Sequence, residues 1–369
     1  MRDSYLFRVL LVPTSVFLTV LFGGSYGSGR EVVEFVSSNG PAGGLLSLAI
    51  LVTTHSILLV LSFELARLFR VYDYVSFCKV LLKRGWFIYE IVIVLGLVIA
   101  LSITTTVGGT VLEEHFGIKA WIGSLTILGL IIVLNYFGRE VVEGSMMLTA
   151  IALFGVLAVL VFQLLDGHLE RVTATFAEAD GVTGDEVTKG LMYAIGGGGY
   201  IPLLLYCAMG LRSRAEVITA ALTAALVAGV PALIFHLAFM AAYPEVLTQQ
   251  IPTYFMFEQV STVLLLNLYV VIMFVLVAQT GVGVLHGLIE RLDVWHQARR
   301  GRRLTRTGHA AIAGGAALLS SALGTMGVVS LILRGYTIMF ASFIVVFVIP
   351  LLTYGCYLAF FRRPPETVE

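Results

Sequence analysis

The residues of this chain that could do chemistry gather at two glycine-rich interruptions. The first, GGSYGSGRE, runs from Gly23 to Glu31 and cuts an apolar run that starts at Phe7 and resumes at Val32. The second is the run Gly196, Gly197, Gly198 and Gly199, followed by Tyr200, Ile201 and Pro202, in the middle of KGLMYAIGGGGYIPLLLYCAMG. Glycine costs about 1 kcal/mol in a helix interior, and proline is tolerated best at a helix start. Each stretch therefore reads as a half-helix, an unwound segment and a second half-helix, with all four glycines of the second stretch in the unwound part. Free carbonyls then end one half and free amides open the next. The carbonyl end favours a cation and the amide end an anion, each terminus carrying about half a unit charge. A carboxylate fits the amides of Gly27, Ser28 and Gly29. A sodium ion fits the carbonyls near Gly23 and Gly24, helped by a hydroxyl from another helix, for which Thr280 is the candidate.

The side chains around the breaks extend this set. Ser25 and Tyr26 lie within the first stretch, and Tyr193 and Tyr200 flank the second; the tyrosines either line a cavity or pack. Arg30 and Glu31 are costly near a membrane interior, at roughly 2.5 kcal/mol or more each. One reading has Arg30 drawing anionic groups in and Glu31 gating or binding a proton. The other is a self-neutralising helix start, with Glu34 within i+4 reach of Arg30. His55, beside Thr53 and Thr54, either relays protons or packs neutral. Glu64 with Arg67, and Glu90, read as local pairs or interface groups, and Thr104, Thr105 and Thr106 as facing an outer mouth. Neither glycine stretch carries the G-x-x-x-x-G-K-[ST] phosphate-loop pattern. No nucleophile–base set or metal-ligand spacing stands out.

The elements that must position these residues follow from composition. The chain has 369 residues, 58% hydrophobic and only 12% charged, with a mean hydropathy of +0.95, where a soluble domain would carry about 25% charged residues. Lipid is its main solvent. The net charge is zero, so nothing argues for a nucleic-acid partner. Cys78, Cys207 and Cys356 suit no disulfide frame. Ten spans are expected, near 7–37 (interrupted), 42–69, 86–108, 119–137, 142–166, 187–210 (interrupted), 215–243, 258–289, 308–324 and 335–361. Residues 166–186 read as a solvated external loop, and Gly314, Gly315 and Ala316 in the ninth span as part of a small-residue packing face. Lys and Arg concentrate in the loops on the side of the N-terminus, which places both termini in the cytoplasm. The N-terminus imitates a signal peptide but is expected to stay as the first span.

The breaks fall in the first and sixth of ten spans, and glycine-interrupted spans at corresponding positions of two halves point to inverted repeats. The division is 1–166 for the first repeat, 167–186 for the loop, 187–361 for the second repeat and 362–369 for a cytoplasmic tail. The stretches GSGREVVEFVSSNGPAG, YDYVSFCKVLLKRGWFIYE and AQTGVGVLHG resemble the YkvI-type bacterial membrane proteins, grouped near the amino acid–polyamine–organocation superfamily with the LeuT fold. The resemblance implies a 5+5 inverted repeat of the bacterial cytoplasmic membrane. It also implies a small-molecule substrate at the broken first and sixth helices and Na+ between the first and eighth. Helices 1, 2, 6 and 7 would rock against 3, 4, 8 and 9. The four-glycine run departs from what the resemblance implies for the sixth helix. The expected function is secondary active transport of an amino acid or related carboxylate, coupled to Na+ or H+. A channel or passive facilitator lined by the glycine breaks is the alternative. Covalent chemistry is not expected.

Overall fold

The computed structural model describes residues 4–21, 24–137, 139–178, 181 and 184–361. Every regular element among them is a helix. A π-helical turn, Leu6–Leu11, leads into α1 (Val12–Leu21), followed by the single turn α2 (Gly24–Gly27) and α3 (Arg30–Phe35). Then come α4 (Gly40–Phe69), α5 (Tyr74–Leu82), α6 (Trp86–Phe116), α7 (Ala120–Phe137) and α8 (Arg139–Ala177). In the second half, α9 (Asp185–Gly198) is followed by a 3₁₀ segment, Ile201–Gly210, and α10 (Arg214–Phe239). The last elements are α11 (Pro252–Val260), α12 (Val263–Arg300), α13 (Arg306–Gly324), α14 (Val328–Phe343) and, after two π-helical turns, α15 (Cys356–Phe360).

Among the described residues, five helical stretches are long and apolar enough to cross a membrane alone, and α9 with its 3₁₀ continuation makes a sixth, bent by 65°. The hydrophobic surface is turned outward, as lipid requires: Leu148, Phe162 and Leu264 are highly exposed. The interior uses small residues instead, such as Ala220, Ala221, Ala224, Ala225 and Ala228 on α10, which let helix backbones approach.

The helix ends follow from their sequences. Ser213, Thr262 and Thr305 precede α10, α12 and α13, and their hydroxyls accept from the amides of Glu216, Leu265 and Gly308. Asp73 caps α5 by accepting from the Ser76 amide at 2.8 Å. Partial burial pushes its carboxyl up, but the hydrogen bonds from Ser76 and neighbouring amides outweigh this and hold it below the usual aspartate range.

Two groups of helices emerge from the packing. In one, α4 packs on α9 and α10, and α1 on α10 and the 3₁₀ segment. In the other, α6 packs on α7, α12 and α13, and α12 on α7 and α8. Arg8 fastens the first group at one end, pairing with Glu216 at 2.6 Å and donating to the Gly210 carbonyl.

The structure corrects three local expectations. Residues 166–177 continue α8 and are not loop; Val172 and Phe176 recur at i+4 on its partly buried side. The eighth span does not begin at 258, because Ser261 and Thr262 separate the short α11 from α12. Of the small residues of the ninth span, Ala316 and Ser320 are buried with Ala313, but Gly314 and Gly315 stand outside that packing face: a Cβ at either would meet no atom within 4 Å.

Candidate functional site

The first span breaks at Ser28 and Gly29. Gly29 has φ +74°, the left-handed region that disfavours other residues. Its amide donates to the Tyr26 carbonyl at 3.0 Å, closing a turn, and the Arg30 amide donates to Ser28 Oγ at 3.2 Å. Two of the local amides are therefore used within the break itself. Gly23 lies outside the described residues, as does the side chain of Ser25; the backbone of Gly24 and Ser25 forms the turn α2. Gly27 is pressed onto α12: Tyr269 Oη donates to its carbonyl at 3.1 Å, and a Cβ on it would lie 2.5 Å from Met273 Sδ.

The second break falls later than the glycine run suggests. Gly196, Gly197 and Gly198 stay in α9; the helix ends at Gly199 and Tyr200, and the chain turns into the 3₁₀ segment with Pro202 in its first turn. The run is therefore not unwound throughout. Its glycines answer to close packing against separate partners. An added Cβ would meet Tyr336 at Gly196, Leu21 at Gly197, Leu58 and His55 at Gly198, and the Phe343 ring at Gly199. Tyr89 Oη donates to the freed Gly199 carbonyl at 2.9 Å.

The helices that flank the two breaks pack on each other. Leu21, the last residue of α1, touches the face of Gly197, and Phe35 at the end of α3 stacks on Tyr193 of α9 at 5.4 Å. The first half of one span packs on the second half of the other, α1 on the 3₁₀ segment and α3 on α9.

Arg30 and Glu31 are both buried and point to different neighbours, as consecutive helix residues do. Arg30 Nη1 donates to the carbonyls of Leu247 and Gln249 at 2.8 and 2.9 Å, and Nη2 to Glu34 at 2.7 Å. Leu247 and Gln249 belong to segment 243–262, which lies over the break: the Thr253 amide donates to the Ser28 carbonyl at 3.1 Å. Thr253 and Phe239 fill the space beside Gly29, where a Cβ would lie 2.5 Å from each. Glu31 faces inward, and Tyr336 Oη of α14 donates to it at 2.7 Å. The Tyr336 ring lies 4.9 Å from Phe35 and 5.9 Å from Tyr193. Tyr336 was not among the residues expected at the site. It stands some 300 positions from Glu31 and shows no local signal beyond following Gly335.

The remaining candidates divide. His55, on α4, hydrogen-bonds through Nε2 to the Ala194 carbonyl at 3.0 Å and meets Phe17 edge-on, so it abuts the second break. Tyr26 turns its ring toward Phe235 of α10. Tyr200 turns away from the first break, against Phe343 and toward Gly96 of α6. Thr280 lies eleven positions after Tyr269 and seven after Met273, the helical spacing that puts it on the stripe of α12 touching Gly27. Gln279 instead reaches α8, donating to Thr149 Oγ1 at 2.9 Å. Thr105 and Thr106 line a separate cavity of about 570 Å³ between α6, α7 and α13. Glu64 pairs with Arg67 as its spacing suggests, while Glu90 pairs across to Arg291 of α12. His236 Nε2 donates to the Pro41 carbonyl and its Nδ1 shares a hydrogen bond with Ser37 Oγ, which ties α10 to the start of α4.

No family model and no curated protein matches the chain. Solved structures do. A manganese transporter of Eremococcus coleocola, in complex with an aromatic bis-isothiourea substituted compound, matches with TM-score 0.56 at 14% identity, over 93% of this chain and 78% of that one. A mutant of the same transporter matches with TM-score 0.53 at 13% identity, over 94% and 78%. A Na+-coupled sialic acid symporter in a substrate-bound outward-open state matches at TM-score 0.46 and 12% identity, over 96% and 82%, too remote to argue from. What the first two share with this chain is architecture: it is an all-helical polytopic membrane protein of the LeuT fold, with its first and sixth spans broken where they meet.

Proposed function

We propose that the protein is a secondary active transporter, carrying an amino acid or related small carboxylate by alternating access. One observation carries the reading: the two broken spans pack on each other inside the bundle while segment 243–262 covers the first break through Arg30 and Ser28. Irregular backbone at membrane depth persists only where protein or a water-filled cavity covers it, and a cover held by a few hydrogen bonds can be released. With the N-terminus in the cytoplasm of a bacterial cell, that segment lies at the outer face, and this state is closed to the outside. The residues around the breaks, Gly23 to Arg30 with Tyr193 and Gly196 to Gly199, form the substrate seat once the cover lifts, and Tyr200, turned toward α6, stands behind it. The group of α1, α3, α4, α9 and α10 moves against α6, α7, α12 and α13.

Two seats are available to a coupling cation. Glu31, held between α3, α9 and α14, takes a proton, with His55 behind the second break as a further polar group. Alternatively Thr280, with the carbonyls of Gly23 and Gly24, takes Na+. A divalent metal cargo, as the name of the manganese transporter states for that protein, finds little here: among the described residues no group of three or more His, Cys, Asp and Glu is placed to hold one. We therefore assign an organic solute.

The test is uptake into proteoliposomes under an imposed Na+ or pH gradient, using solutes first selected by thermal shift, since a ligand that binds the folded state raises its stability. Accumulation above equilibrium supports the reading. Equilibration that ignores both gradients supports a facilitator and overturns it.

A further inference from the structure

The far end of α12 carries a site that transport does not use. The helix has 38 residues, so at 1.5 Å per residue it is about 57 Å long, against about 30 Å for a bilayer core. Its last turns leave the hydrocarbon and meet the loop that returns to α13. Between them lies a cavity of about 460 Å³. One wall is apolar, made by Leu292, Leu304, Ile312 and the Trp295 ring. The other is cationic, made by Arg299 and Arg300 with His296. Arg299 is set in place by stacking 4.1 Å over Trp295, and His296 Nε2 is buried with no hydrogen-bond partner among the described residues.

The nearby acids are turned elsewhere. Asp293 accepts from the Leu304 amide and faces His309 at 3.6 Å, which pins the loop, and Glu290 faces His286 at 3.3 Å. The cationic wall is therefore not neutralised from its own helix. Guanidinium groups bind phosphoryl oxygens through paired N–H donors. Tryptophan favours the membrane interface, and basic pockets between helices there take anionic headgroups.

We infer that this cavity binds an anionic phospholipid, its phosphoryl group on Arg299, Arg300 and His296 and its glycerol and upper acyl carbons on the apolar wall. A free phosphate would use only the cationic half.

The experiment is native mass spectrometry of the full chain released from nanodiscs of mixed phosphatidylglycerol and phosphatidylcholine, with thermal unfolding in neutral detergent alongside. The unaltered protein should retain phosphatidylglycerol in preference to phosphatidylcholine. Arg299→Gln with Arg300→Gln should lower that preference by roughly 100-fold, the effect expected of losing two charge-assisted contacts to one phosphoryl group. Arg302→Gln with Arg303→Gln, the same charge change outside the cavity lining, should retain it. Equal loss in both double variants would show a diffuse basic collar and overturn the site. Stabilisation by inorganic phosphate as large as that by phosphatidylglycerol would overturn the lipid assignment. Unfolding of either variant at the same temperature as the parent in neutral detergent confirms that the comparison is between folded proteins.

Discussion

Two of the hydrogen bonds that close segment 243–262 over the first break come from one guanidinium, which makes Arg30→Ala the most informative perturbation. Arg30 donates to the carbonyls of Leu247 and Gln249 from a side chain only 6% exposed. A hydrogen bond to a charged group contributes about 1.5–3 kcal/mol, so the two together hold segment 243–262 down by about 3–6 kcal/mol. Removing them should raise the population of the lifted segment by roughly two to four powers of ten. The Thr253 amide is the reporter, because it donates to the Ser28 carbonyl only while the segment is closed. Hydrogen exchange read by mass spectrometry should show the peptide holding Thr253 exchanging faster by that factor, up to the limit set by global unfolding. Glu34→Gln is the control: it alters the third partner of Arg30 but leaves both carbonyl contacts, and should change exchange at Thr253 far less. Unchanged exchange at Thr253 in Arg30→Ala would refute the reasoning. The same geometry predicts how binding responds. Arg30 is engaged by three partners, so its removal should weaken anionic and neutral ligands alike; a loss confined to anionic ligands would return it to the role of an anion receptor.

Other substitutions probe the breaks and the seats. Gly29→Ala forces a left-handed conformation on a residue with a Cβ, at about 1–2 kcal/mol, and pushes that Cβ to 2.5 Å from Phe239 and Thr253; thermal unfolding should fall by more than the backbone cost alone. Gly199→Ala drives a methyl into the Phe343 ring and should cost about 1–3 kcal/mol as overpacking, whereas Gly314→Ala, with open space around it, should leave unfolding unchanged or slightly raised. Glu31→Gln should abolish uptake driven by a pH gradient while ligand-induced thermal shifts persist; gradient-driven uptake that survives the change excludes Glu31 as the proton site. Thr280→Ala should remove any Na+-dependent thermal shift, and a shift that remains moves the Na+ seat elsewhere.

The sequence made the breaks legible because glycine and proline act locally, through backbone cost. It placed the long apolar helices because hydropathy is also local. What it hid was set by contacts between distant elements. The closing segment is apolar enough, in IPTYFMF, to read as the approach to the eighth span; its sharpest local marks are Pro252 at the start of α11 and the Thr262 cap of α12. Tyr336 becomes part of the site only because α14 lies against α3 and α9. The acids of residues 166–186 point to a solvated loop, although Val172 and Phe176 keep the helical spacing that carries α8 through Ala177.

The two breaks also differ in why they need glycine, and this bears on what each can do. At the first, glycine answers to backbone conformation: φ at Gly29 is +74°, and the turn is closed by its own amides and by Thr253. If the closing segment leaves, the Ser28 carbonyl loses its Thr253 donor and is freed without moving α3. At the second, Gly199 has an ordinary right-handed backbone, φ −59°, and glycine answers to the Phe343 ring. The bend of 65° is made there by a change of helix type, and Tyr89 and Phe343 hold it from α6 and α14. The second break is thus fastened to helices outside the α4, α9 and α10 group, while the first is fastened to a surface segment. On this difference, ligand access should be governed at Ser28 and Gly29, with Gly199 serving as the fixed side of the seat. Exchange at Tyr200 should then stay slow in Arg30→Ala even as Thr253 opens; opening at both breaks together would mean that they move as one.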